Sequence, residues 1–323
     1  MDIREDISGL MDLCIGCGIC ETVCPSFSKG GCDPMAVMKR MTDDADGCIG
    51  CGCCTDACPY TEPGKVMKYL NHLNKGLGIT QCYRDTGLNL PISSDAGEPV
   101  PDYSDDGVFL NPGCVVLAKV PYLEYAGVSA LNAVGMGAKR ADVGCCTHPV
   151  TFMGLTDGER DSMKRKDFQS LGGGRMVTLC PGCSDEYASS GADAVHILDV
   201  LYDNIDSIRG LPGVDIRVCI QPGCGLKEKA GMFRAVVEAC GAEIVEAPMG
   251  CCGKAIPRIS EELMSDRQKE MRGADAVVVG CPLCQDRYDS VEGGIPSLHI
   301  SELVMMASGD TATMPHHRIH IRK

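Results

Sequence analysis

Twenty-three cysteines in 323 residues constrain this chain more than any other feature. In a small secreted domain such density builds a disulfide framework. Here the chain is long and the count is odd. The opening MDIREDISGL is acidic and lacks the apolar core of a secretory signal. A reducing compartment is the expectation, and thiols packed this densely in one read as ligands for soft metals, zinc or iron–sulfur. The charge of −14 argues against a nucleic-acid binder and against docking on an anionic membrane. No stretch reaches the roughly 18 apolar residues that span a bilayer. A cytoplasmic protein is expected, with any membrane attachment made through a partner. With five Phe and no Trp, the core must rest on aliphatic residues and 17 Met.

Spacing narrows the metal. Cys14-x2-Cys17-x2-Cys20-x3-Cys24-Pro25 recurs as Cys48-x2-Cys51-x2-Cys54-x3-Cys58-Pro59. This is the bacterial ferredoxin spacing for two four-iron, four-sulfur cubanes, in which the fourth Cys of each run ligates the other cluster. Cys14, Cys17, Cys20 and Cys58 are assigned to one cubane; Cys48, Cys51, Cys54 and Cys24 to the other. Gly16, Gly18, Gly50 and Gly52 permit the tight loops. A pair of zinc knuckles is disfavoured because neither run contains His. Cys32 and Cys53 fit no ligand slot and are read as small buried residues. Val66, Met67, Leu70 and Leu73 then predict a helix over 61–76, stopped at Gly76.

From Val108 the chain repeats itself. VFLNPGC echoes RVCIQPGC, VGCCTHP echoes MGCCGKA, MVTLCPGC echoes VVVGCPLC, and HILDVL echoes HISELV. The offsets are 110, 106, 101 and 103 residues, read at Cys114/Cys224, Cys145/Cys251, Cys180/Cys281 and His196/His299. This is a duplicated unit. In each half three apolar runs alternate with helical stretches, the pattern of parallel α/β layering. Each run leads into a Cys motif, so five Cys per half gather where such sheets place functional groups, past the carboxyl ends of strands. Set one is Cys114, Cys145, Cys146, Cys180 and Cys183. Set two is Cys224, Cys251, Cys252, Cys281 and Cys284. Adjacent Cys pairs are poor partners for a mutual disulfide. Five thiolates also exceed what one zinc or one ordinary cubane needs, although a cubane with a spare thiol, or a zinc site, remains open. Cys219 is an alternative first ligand of set two, but Cys224 matches Pro-Gly-Cys. Cys82 and Cys240 read as structural.

The order Cys, Cys-Cys, Cys-x2-Cys resembles the Cys-rich (CCG) domain of heterodisulfide reductases. Ahead of it stands a module that looks like the twin-cubane subunit of the same enzymes. The whole resembles a fused C–B or D-type subunit, from Cys14 to about Leu303. The resemblance implies an α+β ferredoxin-like module at 1–84, a linker at 85–107, CCG domains at 108–212 and 213–307, and a tail at 308–323. It implies two cubane and two noncubane [4Fe-4S] clusters, the noncubane ones on the two five-Cys sets. It also implies an oxidoreductase reaction: a CoM-S-S-CoB type disulfide of methanogenesis is cleaved between the noncubane clusters, each supplying one electron and transiently holding one sulfur. The same domain occurs in thiol:fumarate reductase and in iron–sulfur subunits of flavin-dependent lactate, glycolate and glycerol-3-phosphate oxidation, which is the alternative function. The second set departs from the pattern: gaps of 26 and 28 residues replace the 30 and 33 of the first, which would reshape the substrate cavity.

His148 and Lys254 each follow a Cys-Cys pair. His148 is a candidate proton donor to a leaving thiolate. Lys254 is a candidate partner for a substrate carboxylate or phosphate, against the plainer reading of a solvated Lys. His196 and His299, at matching repeat positions, point to a shared structural role. No Gly-x-Gly-x-x-Gly fingerprint is present, so electrons are expected from a partner bearing flavin or a b-type cytochrome.

Overall fold

The computed structural model describes residues 3–75, 81–95, 97–148, 157–253 and 257–317. They group into two compact units. One holds 3–75, 251–253 and 257–267; the other holds 81–95, 97–148, 157–250 and 268–317.

The first unit is helical. Helices Ile3–Asp12, Pro34–Met38 and Pro63–Lys75 pack around Ile7, Val37, Met38, Val66 and Met67, and the one-turn helices Ile19–Thr22 and Cys53–Asp56 lie against them. The helix predicted over 61–76 runs from Pro63 to Lys75, with Leu70 and Leu73 against the same core; its stop at Gly76 lies outside the described residues. Leu263, on the helix Pro257–Glu270, packs on Ile49. Lys29 Nζ bonds Glu262 at 3.0 Å and Asp266 at 2.6 Å.

The second unit contains two parallel sheets of identical order. Strands β1 (Val108–Asn111), β2 (Ala138–Arg140), β3 (Met176–Thr178) and β4 (Ala194–His196) run β2-β1-β3-β4. Strands β5 (Arg217–Gln221), β6 (Glu243–Ile244), β7 (Ala276–Val279) and β8 (Ser297–His299) run β6-β5-β7-β8. The registers also match: Leu110 pairs with Val177 as Ile220 pairs with Val278. The duplication seen in the sequence is thus a duplication of topology, and the α/β class holds for both halves. Each half has four strands where the sequence shows three apolar runs. The fourth, β4 or β8, is three residues long and ends on the repeated His.

Both halves share one core. Helix Tyr122–Ala133 of the first packs on Ile300–Ala307 of the second, and Ile197–Asp203 on Ala230–Ala239. Leu123, Leu131, Phe233, Leu303 and Val304 are fully buried there. Burying a side chain of that size contributes about 1.5–3 kcal/mol. The described residues of 87–107 hold no helix or strand, but they are tied down. Ser93 N–H donates to Leu117 O at 2.8 Å, Ser104 N–H to Ala138 O at 2.8 Å, and Tyr103 OH to Glu124 at 2.7 Å. It enters β1 through Gly107, whose φ is +106° and where a Cβ would lie 1.9 Å from Gly137 O, so only glycine passes. No helix among the described residues is long and apolar enough to cross a membrane.

Candidate metal centres

The two ferredoxin-like loops are built alike. Gly18 and Gly52 sit at φ +76° and +79°, each capping a one-turn helix that carries the third cysteine of its run. These left-handed turns let three cysteines wrap one point. Cys14, Cys17, Cys20 and Cys58 line a single cavity with Ile15 and Tyr60. Cys58, from the far run, thus stands beside the first three cysteines of the other run. Burial, then the neighbouring Cys14, pushes the Cys20 thiol up to about 11. Burial, then the charges of Cys48 and Cys24, pushes Cys54 up to about 12. Cys24 and Cys48 thus stand near Cys54, and Cys20 of the other run is close to it as well. Cys51, its fourth member, hydrogen-bonds with Cys53 and feels Cys251. Cys32 is buried as expected, with Sγ 3.3 Å from Met67 Sδ. Cys53 is half-buried against Cys51 rather than fully enclosed.

Set one assembles at a topological switch point. In the order β2-β1-β3-β4 the chain turns opposite ways from β1 and β3, and the crevice between their carboxyl ends is where such sheets bind ligands. β1 ends at Asn111, whose Oδ1 accepts from Gly113 N–H at 2.9 Å and folds the Pro-Gly-Cys turn. Gly113 (φ +81°) lies so close that a Cβ would sit 3.2 Å from Cys183 Sγ. The Gly-Cys-Cys loop after β2 is pinned twice. Gly144 N–H donates to Asp167 at 3.0 Å, and Cys145 N–H donates to Gly87 O at 2.9 Å. Asp167 also takes the Tyr187 hydroxyl at 3.2 Å. The thiols then form one network: Cys114 with Cys145, Cys145 with Cys146, Cys146 with Cys183 at 3.2 Å between sulfurs, and Cys183 with Cys180. Donors on both sides, Cys114 first, hold Cys145 well below an ordinary thiol. Hydrogen bonds to neighbouring thiols, Cys145 for Cys146 and Cys146 with Cys180 for Cys183, and then burial push Cys146 and Cys183 up. Thiolates compressed together in this way call for cations to share.

In the second half β5 and β7 make the equivalent switch point. Gly223 (φ +94°) would carry a Cβ 3.4 Å from Cys284 Sγ, as Gly113 does beside Cys183. Gln221 takes the place of Asn111: its Oε1 accepts from Gly250 N–H at 2.9 Å and its Nε2 donates to Pro248 O at 2.7 Å. Cys224, Cys281 and Cys284 belong to this unit, whereas Cys251 and Cys252 group with the helical one. Gly253 N–H points at Cys251 Sγ, 3.3 Å away. Cys219 lies fully buried inside β5 with Sγ toward Met271 O, away from the switch point, so Cys224 is the thiol placed at the turn. Cys240 is also fully buried, in the core shared by the halves, and Cys82 is hydrogen-bonded to Thr86.

The two halves meet at their thiols. Cys180 hydrogen-bonds with Cys183 and also with Cys281, the matching cysteine of the other half, and both contacts hold it well below an ordinary thiol. Among the described residues no three His, Cys, Asp or Glu side chains converge as a single-ion site. The donor chemistry, soft sulfur in groups of four and five, fits iron–sulfur clusters.

His148 stands over the helix that begins after Cys180: a Cβ on Gly182 would touch its ring at 3.1 Å. Its Nδ1 meets Glu186 Oε1 at 3.2 Å, and Glu186 Oε2 meets Lys164 Nζ at 3.0 Å. Lys164 is nearly fully buried and also donates to Glu186 O at 3.1 Å. Burial alone would raise Glu186; His148 and Lys164 outweigh it and hold the carboxylate at about 2. The sequence gives no sign of this line, because Lys164 sits in a stretch of charges that reads as a solvated helix face. Lys254 lies outside the described residues.

Comparison with known proteins agrees with this architecture. A model of the 4Fe-4S binding domain matches residues 10–26, and a model of the cysteine-rich domain matches residues 108–185 and 218–286. No curated protein is similar enough in sequence to count as a relative. A crystal structure of a hypothetical protein from Helicobacter pylori aligns with a TM-score of 0.58 at 8% identity, over 99% of this chain and 76% of that one; at that identity it speaks for the fold alone. An aspartate racemase homologue from Pyrococcus horikoshii OT3 aligns at 12% identity over 64% of this chain and 100% of its own, with a TM-score of 0.30, too low to carry an argument. The chain is an iron–sulfur electron-transfer protein that joins a 4Fe-4S binding domain to two cysteine-rich (CCG) domains.

Proposed function

We propose that the chain is the iron–sulfur subunit of a disulfide reductase of heterodisulfide-reductase type. The observation that carries this reading is the meeting of Cys180 and Cys281. It puts the first sulfur of each Cys-x2-Cys motif at one place, where two one-electron centres would face one substrate. Reduction of a disulfide, RSSR′ + 2 e⁻ + 2 H⁺ → RSH + R′SH, needs two electrons, and a pair of centres supplies them without releasing a free thiyl radical.

Cys14, Cys17, Cys20 and Cys58 would hold one cubane, and Cys24, Cys48, Cys51 and Cys54 the other. Cys114, Cys145, Cys146, Cys180 and Cys183 would hold a noncubane cluster. The sequence repeat alone extends that role to Cys224, Cys251, Cys252, Cys281 and Cys284. Such clusters supply single electrons and an iron able to act as Lewis acid toward a soft sulfur. The protein's own contribution is arrangement: Asn111, Asp167 and Tyr187 hold the loops that carry the thiols. His148, oriented by Glu186, would deliver a proton to a departing thiolate. Electrons would come from a partner carrying flavin or a b-type cytochrome. Oxidising the purified protein with one thiol present, then recording its electron paramagnetic resonance, tests the reading. A new signal that depends on the thiol is expected. Its absence, with full iron content, would leave an electron-transfer role of the kind served in flavin-dependent lactate, glycolate or glycerol-3-phosphate oxidation.

A further inference from the structure

Two buried imidazoles, one from each half, converge on a single backbone oxygen. β4 ends at His196 and β8 at His299, and each residue caps the helix that follows. His196 Nδ1 accepts from Leu198 N–H at 3.1 Å, and His299 Nδ1 accepts from Ser301 N–H at 3.3 Å. An Nδ1 that accepts leaves the ring proton on Nε2. Both Nε2 atoms point at Leu179 O, 3.3 Å from His196 and 3.1 Å from His299, and His299 also reaches the backbone of Gly280, the residue before Cys281. The rings lie 6.1 Å apart, edge to face. Burial lowers both histidines, His196 to about 4, so both are neutral donors.

Capping alone does not ask for this. Asn or Asp would cap either helix as well or better, but neither reaches Leu179. The second imidazole also crosses from its own half to the carbonyl of the other. Leu179 immediately precedes Cys180, the thiol that touches Cys281.

We infer that His196 and His299 are positioning residues: together they saturate the Leu179 carbonyl and fix the peptide that carries the Cys180 sulfur at the junction of the two thiol sets. The inference rests on the functional reading above, in which Cys180 ligates a cluster. A carbonyl has two lone pairs, and two donors leave its peptide no freedom to rotate. Groups that orient a ligand from behind tune the metal it holds, and hydrogen bonding and dipoles around cluster sulfurs set the potential.

Two substitutions separate this role from capping. His299→Asn keeps a side chain that caps the helix and loses the reach to Leu179. His299→Gln keeps the reach and loses the cap. In protein reconstituted anaerobically to full iron, His299→Asn should melt close to the parent, yet show a shifted midpoint potential and altered resonance for the set-one centre, with the cubane signals unmoved. His299→Gln should melt lower and keep the parent's potential and resonance. Should His299→Asn fail to take up iron, His196→Asn asks the same question from the first half. A parent protein without any set-one signal removes the functional reading and this inference with it. A set-one signal that is present and unmoved in the Asn variants overturns the inference alone.

Discussion

Cys146 Sγ and Cys183 Sγ stand 3.2 Å apart, although 36 residues separate them in the chain and each belongs to a different loop of the first sheet. The contact exists because β2 and β3 are both ordered outward from β1 in one parallel sheet, so that their following loops return to the same edge. Replacing Cys183 by Ser should remove one cluster, with a loss of about four irons per chain. The resonance of the two cubanes should be unchanged. Retention of the parent's iron content in Cys183→Ser would show that this thiol is not a ligand.

The proposed exchange of fourth ligands between two cubanes is tested in the same way. Cys58 shares a cavity with Cys14, Cys17 and Cys20. Cys58→Ser and Cys14→Ser should therefore perturb one and the same reduced cubane signal, and Cys24→Ser should pair with Cys48→Ser in perturbing the other. Cys58→Ser grouping with Cys48→Ser would reverse the assignment.

Lys164 and Glu186 form a nearly buried pair behind His148. Removing Lys164 leaves the largely buried Glu186 facing only the half-exposed His148, which costs up to about 3–5 kcal/mol. Lys164→Met should lose that much in chemical denaturation, and the double variant Lys164→Met/Glu186→Leu should recover most of it. The pair also carries a pH signature. Glu186 is held below its unfolded value of about 4.3, down to about 2. Its stabilisation is complete above the unfolded value and is lost as pH falls through the folded one. Acid unfolding in that window should be shallower in the double variant; identical acid profiles would contradict the account.

The C-terminal turn supplies a titration of opposite sign. His317 Nε2 bonds Glu302 Oε1 at 2.7 Å, both side chains fully buried, with Asp289 3.9 Å from Nδ1. His316 stacks on Tyr122 and pairs with Glu98 at 3.1 Å. Burial acts to lower His317, but the charge and hydrogen bond of Glu302 prevail and raise it. The stabilisation is complete below the unfolded value of about 6.5 and is lost as pH rises through the higher folded value. Hydrogen exchange over residues 310–317 should quicken across that rise beyond the intrinsic base-catalysed rate, and His317→Gln should remove the excess. A profile that follows the intrinsic rate throughout would rule out the His317–Glu302 contact as a pH-dependent tie.

Much of this was legible in the cysteines. The x2-x2-x3 spacing put Cys58 with Cys14 because a cubane needs a fourth sulfur that its own tight loop cannot supply. The repeat of Pro-Gly-Cys, Gly-Cys-Cys and Cys-Pro-x-Cys gave the parallel layering, since each motif ends an apolar run. β4 and β8 escaped notice because Ala-Val-His and Ser-Leu-His are too short to show a period, and only the repeated histidine marked them. The packing of Leu263 on Ile49, and of Lys29 with Glu262 and Asp266, is invisible in the sequence: these contacts span more than 200 residues and use side chains that read as surface. Lys164 was misleading for the same reason. A lysine inside a charged helix looks solvated until the fold encloses it.

Iron and acid-labile sulfide per chain, measured on anaerobically purified protein, test the central claim that this polypeptide's thiols grip four clusters. The account predicts about sixteen of each per chain, four for every cluster. About eight would confine the clusters to the ferredoxin-like loops, and colourless protein or stoichiometric zinc would contradict the account altogether.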